Sequence, residues 1–330
     1  MKRGYIHMEK NIYTDLAIES HDLAVQRTGG EIRGVAVDEH TSENAKITRI
    51  EVLNQKGAEA IGKPIGTYIT IESQGLKSQN RMVHDELSKA FANELSLLIN
   101  FKKLAKEPTI FVVGLGNWNA TPDALGPQVL NNLMVTRHLF REAPPELREG
   151  MRAVCALSPG VLGLTGIQTA EIIKGVVQQV KPDLILAIDA LAARGTERLA
   201  KTIQLSNTGI SPGSGIGKNR AGINYQTMNI PVIAIGVPTV IFATTIVNDA
   251  LDKMLAGDVF SNMEKERFRN IGESEKQRAV HEVLSPHLGN LIVSPKGIDE
   301  LIKDVGRIIA GGINVSVHPD INHENLSLYL

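Results

Sequence analysis

Cysteine is almost absent from this chain of 330 residues, which contains only Cys155. A single cysteine excludes an internal disulfide and any zinc site built from several cysteines, and it is compatible with a reducing cytoplasm. Aromatic residues are also scarce, at 4% of the sequence against 42% hydrophobic residues in total. The core therefore has to consist mainly of Ile, Val, Leu and Ala, which is typical of α/β sheets.

Long apolar runs and an excess of one charge are missing as well. No stretch is long enough to span a bilayer, and the first residues, MKRGYIHMEK, lack the apolar core of a secretory signal. The formal net charge is -1 and the sequence contains no basic stripe, which argues against direct binding of nucleic acid. We expect a cytoplasmic protein that contacts neither a membrane nor nucleic acid.

Two apolar runs that lead to an aspartate are the most informative feature. In residues 109–127, TIFVVGLGNWNATPDALGP, a predicted strand is followed by a glycine turn and a polar loop that carries Asp123. In residues 183–188, DLILAI, a second run is followed directly by Asp189. Such runs are typical of strands buried on both faces of a parallel sheet, and ligands bind beyond the carboxyl ends of these strands. We therefore expect Asp123 and Asp189 to share one crevice.

The rest of the chain alternates between strand and helix patterns. Further strands are predicted near residues 153–157, 232–235 and 291–293, and helices near residues 80–103, 125–140, 168–180, 239–255 and 297–310. Short strands near residues 30–75 predict a smaller flanking β-sheet, and the polar stretch 256–280 predicts a surface insertion. The sequence thus predicts one α/β domain with a twisted, mostly parallel sheet and helices on both faces.

Three short motifs resemble known sites but do not meet their physical requirements. The GLG turn at residues 114–116 lacks the third glycine of a dinucleotide loop, because position 119 is Asn. The loop SPGSGIGK at residues 211–218 has Pro212 where a phosphate loop has its first glycine. The same proline removes the N–H that a nucleophile elbow would need after Ser211.

The two aspartates suit general acid–base catalysis. Two carboxyl groups held close together do not both ionise readily, so one of them keeps its proton. The ionised partner can take a proton from water while the protonated one supports the carbonyl oxygen or the leaving nitrogen. Three other interpretations remain open at this point: Asp123 as a helix N-cap, Asp189 as an ion-pair partner of Arg194, and both as ligands of a hard cation.

Long blocks of the sequence resemble the germination protease family of spore-forming bacteria. The blocks are GLGNWNATPDALGP (114–127), LSPGVLGLTGIQTAEII (157–173), LILAIDALAAR (184–194), TGISPGSGIGKNR (208–220), PVIAIGVPTV (231–240) and GAEAIGKPIGTYITIES (57–73). The resemblance runs from about Thr14 to the last predicted helix. It implies a fold similar to the hydrogenase-maturation endopeptidases, and it places the two essential aspartates of the family on Asp123 and Asp189.

The same resemblance implies a function. Members of this family initiate the degradation of small acid-soluble spore proteins at germination, in the spore core, and they form homotetramers. They are made as zymogens that remove their own N-terminal segment. Substrates are cut in an acid-apolar-Ala-x-Glu context, which residues 15–19, DLAIE, match. We therefore predict self-cleavage between Asp15 and Leu16, with residues 1–15 as the propeptide and residues 16–330 as a single peptidase domain.

Two alternatives stay open beside this hypothesis. The first is a metallopeptidase of the hydrogenase-maturation type, which is disfavoured because no histidine lies in the loops next to the two aspartates. The second is a non-enzymatic module that binds spore proteins. We expect neither a cofactor nor a metal ion. Proximity in sequence makes Asn117, Thr121 and Arg194 candidate supporting residues.

Overall fold

A single large sheet dominates the structure, a computed structural model that describes residues 14–211, 221–256, 279–280, 282–284 and 291–326. Nine strands in these residues form it, in the order β1-β2-β3-β7-β8-β6-β4-β5, with β9 paired to β8. The strands are β1 (Val35–Thr41), β2 (Lys46–Val52), β3 (Gly66–Glu72), β4 (Thr109–Gly114), β5 (Ala153–Leu157), β6 (Leu184–Ala193), β7 (Thr202–Ser206), β8 (Val232–Phe242) and β9 (Ile292–Val293).

The α/β class is confirmed, but the flanking strands do not form a sheet of their own. β5, β4, β6 and β8 are mutually parallel, whereas β1, β2, β3 and β7 pair in antiparallel fashion. Strand β7, which sequence analysis did not predict, pairs with β3 on one side and with β8 on the other. The strands near residues 30–75 therefore continue the main sheet, which joins four parallel strands to an antiparallel part.

Helices cover both faces of the parallel strands, as predicted. They are α1 (Ala17–Thr28), α2 (Gln55–Ile61), α3 (Arg81–Leu98), α4 (Leu125–Leu130), α5 (Leu139–Glu142), α6 (Leu162–Thr165), α7 (Thr169–Val180), α8 (Tyr225–Met228), α9 (Ala243–Ala256) and α10 (Ile298–Val317). Because side chains alternate along a strand, Ile110 and Val112 of β4 pack in the cluster with α3 and α10, while Phe111 and Val113 pack in the cluster with α7. None of the described helices has the length and apolar character that a membrane crossing requires.

Two predicted helices differ from the structure. The helix expected over residues 125–140 is divided into α4 and α5, because the main-chain N–H of Met134 binds the Asn314 side chain and that of Thr136 binds the carbonyl of Val154. The helix expected over residues 239–255 begins at Ala243, because β8 continues alongside β6 as far as the pair Ala193 and Ile241. The longer strands extend the sheet beyond Asp189.

The first described residues of the chain are part of the core. Leu16 is fully buried and precedes α1, a helix that sequence analysis did not predict. It packs with Ile18, Ile50, Tyr68 and Leu191 in a cluster between α1 and the sheet. Residues 1–13 of the predicted propeptide and residues 257–278 of the predicted surface insertion lie outside the described part of the chain.

Candidate active site

A tight loop after β4 brings Asp123 back to the end of that strand. The chain turns at Gly116, whose φ of 109° is a left-handed conformation that favours glycine. A Cβ atom at this position would lie 1.9 Å from the carbonyl oxygen of Asp123. That oxygen accepts a hydrogen bond of 2.9 Å from the N–H of Asn117. The close approach of the two backbones therefore requires glycine at position 116.

Asp123 ends a 3-10 turn, Thr121–Asp123, and does not cap the helix that follows. The N-cap of α4 is Ala124, which makes no side-chain capping bond. The hydroxyl of Thr239 donates a 2.7 Å hydrogen bond to the carbonyl of Pro122 and thereby ties the turn to β8. The helix-cap interpretation of Asp123 is therefore not supported, and its half-buried side chain lines a cavity.

Asp189 lies within β6, whereas sequence analysis placed it after the strand. The pairing of β4 with β6 ends at Gly114 and Ile188, so Asp189 is the first residue of β6 beyond the end of β4. On the other side it remains opposite Gly236 of β8. Its side chain is 8% exposed, and Oδ1 accepts a 3.0 Å hydrogen bond from the N–H of Ala190. The sheet thus buries this carboxyl group at the edge of a crevice.

Asp123 and Asp189 line the same cavity, which has a volume of about 1010 Å³. Burial raises the pKa of Asp189 well above its usual value, and the nearby charges of Asp123 and Asp15 raise it further. The arrangement therefore favours the protonated form of Asp189, next to another carboxyl group, up to a higher pH than for an isolated aspartate. Such a pair can accept one proton and deliver another in the same reaction.

The predicted cleavage site lies against the same cavity. The N–H of Asp15 donates to the carbonyl of Ala192 over 3.2 Å, and the N–H of Ala192 donates to Oδ2 of Asp15 over 2.8 Å. The carbonyl oxygen of Asp15 accepts hydrogen bonds from Lys63 and Gln204. Thr14, Asp15, Lys63 and Gln204 all line the cavity with the two aspartates. Asp15 is therefore bonded to β6 through its N–H and its carboxylate, while its carbonyl oxygen accepts from Lys63 and Gln204.

Glu19 anchors the other end of this segment. Its carboxylate accepts hydrogen bonds from the N–H groups of Arg194, at 2.8 Å, and Gly195, at 2.7 Å, and from the hydroxyl of Thr14. Burial raises the pKa of Glu19 more than these hydrogen bonds and the charge of Arg198 lower it. Both acids of the DLAIE sequence are thus bound by main-chain N–H groups that follow Asp189 in the chain.

The three candidate supporting residues have other partners. The side chain of Asn117 accepts from the N–H of Asn119 at 3.0 Å, and the hydroxyl of Thr121 donates to Asp299 at 2.9 Å. Arg194 contributes its main-chain N–H to Glu19, and its charge is not among those that shift the pKa of Asp189. None of the three is among the described residues that line the cavity.

Sequence analysis missed Lys63 and Gln204. The sequence contains one signal for each residue. Lys63 lies in the block GAEAIGKPIG, which carries part of the family resemblance, and Gln204 is a polar residue within the short segment TIQLS. The interpretation of the two aspartates as metal ligands finds no support in the part of the chain that the structure describes. Within the described residues, no group of three or more His, Cys, Asp or Glu side chains is arranged so that it could hold a metal ion.

Comparison with known proteins gives consistent matches over nearly the whole chain. The family model described as germination protease matches residues 14–271 and 267–330. The germination protease of Clostridium perfringens is 47% identical over 97% of this chain and 99% of its own length. That of Caldanaerobacter subterraneus subsp. tengcongensis is 48% identical over 97% of this chain and 98% of its own. That of Priestia megaterium is 40% identical over 97% of each chain.

Among solved structures, a [NiFe] hydrogenase maturation protease, HycI from Thermococcus kodakarensis KOD1, matches with a TM-score of 0.27 and 17% identity. The match covers 41% of this chain and 76% of that protein, and it is too slight to support an argument. The sequence matches, by contrast, are extensive and mutually consistent. They show that the chain belongs to the germination protease family, a family of proteases that act in spore germination.

Proposed function

We propose that this protein is an endopeptidase that initiates the degradation of small acid-soluble spore proteins, with Asp123 and Asp189 activating a water molecule. The supporting observation is that the two carboxyl groups line one cavity and that the pKa of Asp189 is raised by burial and by Asp123. A pair in this state contains one acid and one base, which is what hydrolysis of an amide needs.

We propose the two roles from the difference between the two environments. Asp189 is the more deeply buried group, so it keeps the proton, and Asp123 is the ionised partner. Asp123 takes a proton from water as the water oxygen attacks the carbonyl carbon of the substrate. Asp189 gives its proton to the leaving nitrogen when the C–N bond breaks. The products are a carboxylic acid and an amine, and each aspartate has exchanged its protonation state with the other.

The proposal includes a zymogen with residues 1–15 as its propeptide. Two observations support cleavage after Asp15: the DLAIE sequence fits the substrate pattern that the family resemblance implies, and Asp15 lines the cavity with both aspartates. Thr14 and Asp15 form part of the cavity wall, so their removal would give a substrate chain more room beside the two aspartates. From the same resemblance we propose that the protein acts as a homotetramer in the cytoplasm of the spore core.

The test is N-terminal sequencing of the purified protein before and after incubation with a small acid-soluble spore protein. We expect a new N-terminus at Leu16 and fragments of the substrate that end in an acidic residue. Asp123→Asn and Asp189→Asn should each slow both reactions by about 10²- to 10⁴-fold, the usual contribution of a general acid or base. Asp38→Asn, at an exposed position on β1, is the matched control. Undiminished turnover by either active-site variant would refute the proposal.

A further inference from the structure

The geometry points to Lys63 and Gln204 as the two donors that stabilise the negative charge developing on the carbonyl oxygen of the peptide bond being cleaved. This inference rests on the proposed function, because it assigns residues to the same hydrolytic site. It concerns self-cleavage after Asp15 in the first place, and then the cleavage of substrates that enter the cavity once residues 1–15 have left.

Lys63 reaches the peptide bond from the end of α2. That helix ends at Gly62, whose φ of 67° turns the chain and directs the next residue toward the cavity. The Lys63 ammonium group donates to the carbonyl oxygens of Asp15, at 3.0 Å, and Thr14, at 2.9 Å. Burial lowers the pKa of Lys63 more than the charges of Asp15 and Glu19 raise it. A desolvated cation is therefore bonded to main-chain carbonyl groups, where its interaction with a developing negative charge is strong.

Gln204 holds the same bond from the sheet. It lies in β7, opposite Thr70 of β3 and Gly236 of β8, and it is 9% exposed. Its Nε2 donates to the carbonyl oxygen of Asp15 at 3.2 Å, and its Oε1 accepts from the N–H of Ala17 at 2.6 Å. Because the N–H of Ala17 can only donate, this contact fixes the orientation of the amide and directs Nε2 to Asp15. The side chain therefore contacts the residues on both sides of the position of Leu16.

The two donors converge on one oxygen atom. When water adds to the carbonyl carbon of Asp15, the π electrons of the C=O bond move to this oxygen, which becomes an oxyanion. The hydrogen bonds from Lys63 and Gln204 strengthen at that moment and require no rearrangement, because both donors are already in place. Asp123 takes one proton of the attacking water, as in the proposed mechanism. The electron pair on the oxyanion then re-forms the C=O bond, the bond between the Asp15 carbon and the Leu16 nitrogen breaks, and the nitrogen takes up the proton of Asp189. The products are the carboxyl terminus of residue 15 and the amino terminus of Leu16.

A purely structural role would have different consequences. If Lys63 and Gln204 only hold the N-terminal segment in the cavity, their removal should loosen that segment without changing the chemical step. In that case the KM for a substrate changes and kcat does not. Stabilisation of an oxyanion lowers kcat, because the interaction is made mainly in the transition state.

The experiment uses the full chain and four variants. Lys63→Met and Gln204→Leu remove the donors with little change in side-chain size, and the controls are Lys56→Met and Gln55→Leu at exposed positions on α2. The first-order rate of appearance of the Leu16 terminus is measured by mass spectrometry. After prolonged incubation, kcat and KM are measured with a peptide that contains DLAIE. We expect each donor variant to lose about 10²- to 10³-fold in both the processing rate and kcat, the loss known for one oxyanion donor.

A chemical rescue addresses the case in which Lys63→Met fails to fold. Lys63→Cys in a Cys155→Ala background leaves a single cysteine, since the chain has no other. Alkylation with bromoethylamine restores an ammonium group at lysine length, whereas an ethylating reagent restores only the bulk. We expect the first treatment, and not the second, to recover the processing rate. Equal recovery with both reagents would overturn the inference, as would faster processing by Lys63→Met.

The outcomes separate this inference from the proposed function. If the wild-type chain produces no terminus at Leu16, or if Asp189→Asn processes normally, the proposed function fails at this site. If the wild type is cleaved there and Asp189→Asn is not, while Lys63→Met and Gln204→Leu process at the wild-type rate, only the assignment of the donors is refuted.

Discussion

Replacing Asp189 by asparagine should make the folded protein more stable at neutral pH while it slows turnover. The side chain is 8% exposed, and burial together with the charges of Asp123 and Asp15 raises its pKa. Above the folded-state pKa the fold therefore carries a carboxylate that is better solvated in the unfolded chain. Asparagine has nearly the same shape, keeps an oxygen that can accept from the N–H of Ala190, and carries no charge.

The sign and size of the effect follow from linkage. A carboxyl group whose pKa is raised by folding contributes stability that is fully present below the unfolded pKa, near 4, and is lost as the pH rises through the folded pKa. The advantage of Asp189→Asn should therefore be close to zero at pH 4 and should grow toward pH 8. Stabilising changes at single sites commonly add about 0.5–2 kcal/mol. We expect the gain at pH 8 to lie in this range.

Urea unfolding of the two proteins at a series of pH values measures this difference. The midpoint should move to higher urea with an unchanged m-value, which identifies a change in stability and not in the unfolded state. Asp38→Asn on the exposed strand β1 is the control and should show no trend of this kind. A difference in unfolding free energy that stays constant between pH 4 and pH 8, or a destabilised variant at pH 8, would contradict this reasoning. Either result would show that the fold does not destabilise the ionised form of Asp189.

Four further predictions follow from the same contacts. Gly116→Ala should displace the carbonyl of Asp123, because the added Cβ would lie 1.9 Å from it, and should lower kcat in a peptide assay, whereas Gly175→Ala, in open space, should not. Self-processing should accelerate from pH 7.5 to pH 5.5, because a lower pH protonates more of Asp189, and a flat rate profile would contradict this. Burial and the charge of Arg152 lower the pKa of His318 to about 4, so its stability contribution is present above pH 6.5 and lost as the pH falls toward 4. The loss should be about 3 kcal/mol in urea titrations, and His318→Gln should remove this pH dependence. Turnover should survive exhaustive chelation, since the described residues contain no group suited to a metal ion, and loss of activity restored by a metal would count against two-aspartate chemistry.

The parallel part of the fold could be predicted because its signals are local. The runs before Gly114 and Asp189 are almost wholly apolar, as strands buried on both faces must be, and the rule for the carboxyl ends of such strands brings Asp123 and Asp189 to the same edge. The bounds of α7 and β5 agree with the predictions within one residue, because the apolar pattern of each is local.

The rest of the site depends on contacts between distant parts of the chain. Strand β7 is five residues long and includes Gln204, and only its neighbours β3 and β8 make it part of the sheet. Lys63 follows a short helix far from either aspartate in sequence. The proposed supporting residues near Asp123 and Asp189 were chosen by sequence proximity, and the side chains of Asn117 and Thr121 bond instead to Asn119 and Asp299.

The long span of the contacts to Asp15 has a consequence for biosynthesis. Asp15 is bonded to Ala192, 177 residues further along the chain, and to Gln204, 189 residues further along. While the ribosome is still adding the first two hundred residues, the N-terminal segment therefore has no place to dock, and Asp123 is present without its partner. On the proposed mechanism, a nascent chain cannot cut itself before most of the protein has been made, and the order of the strands sets this delay.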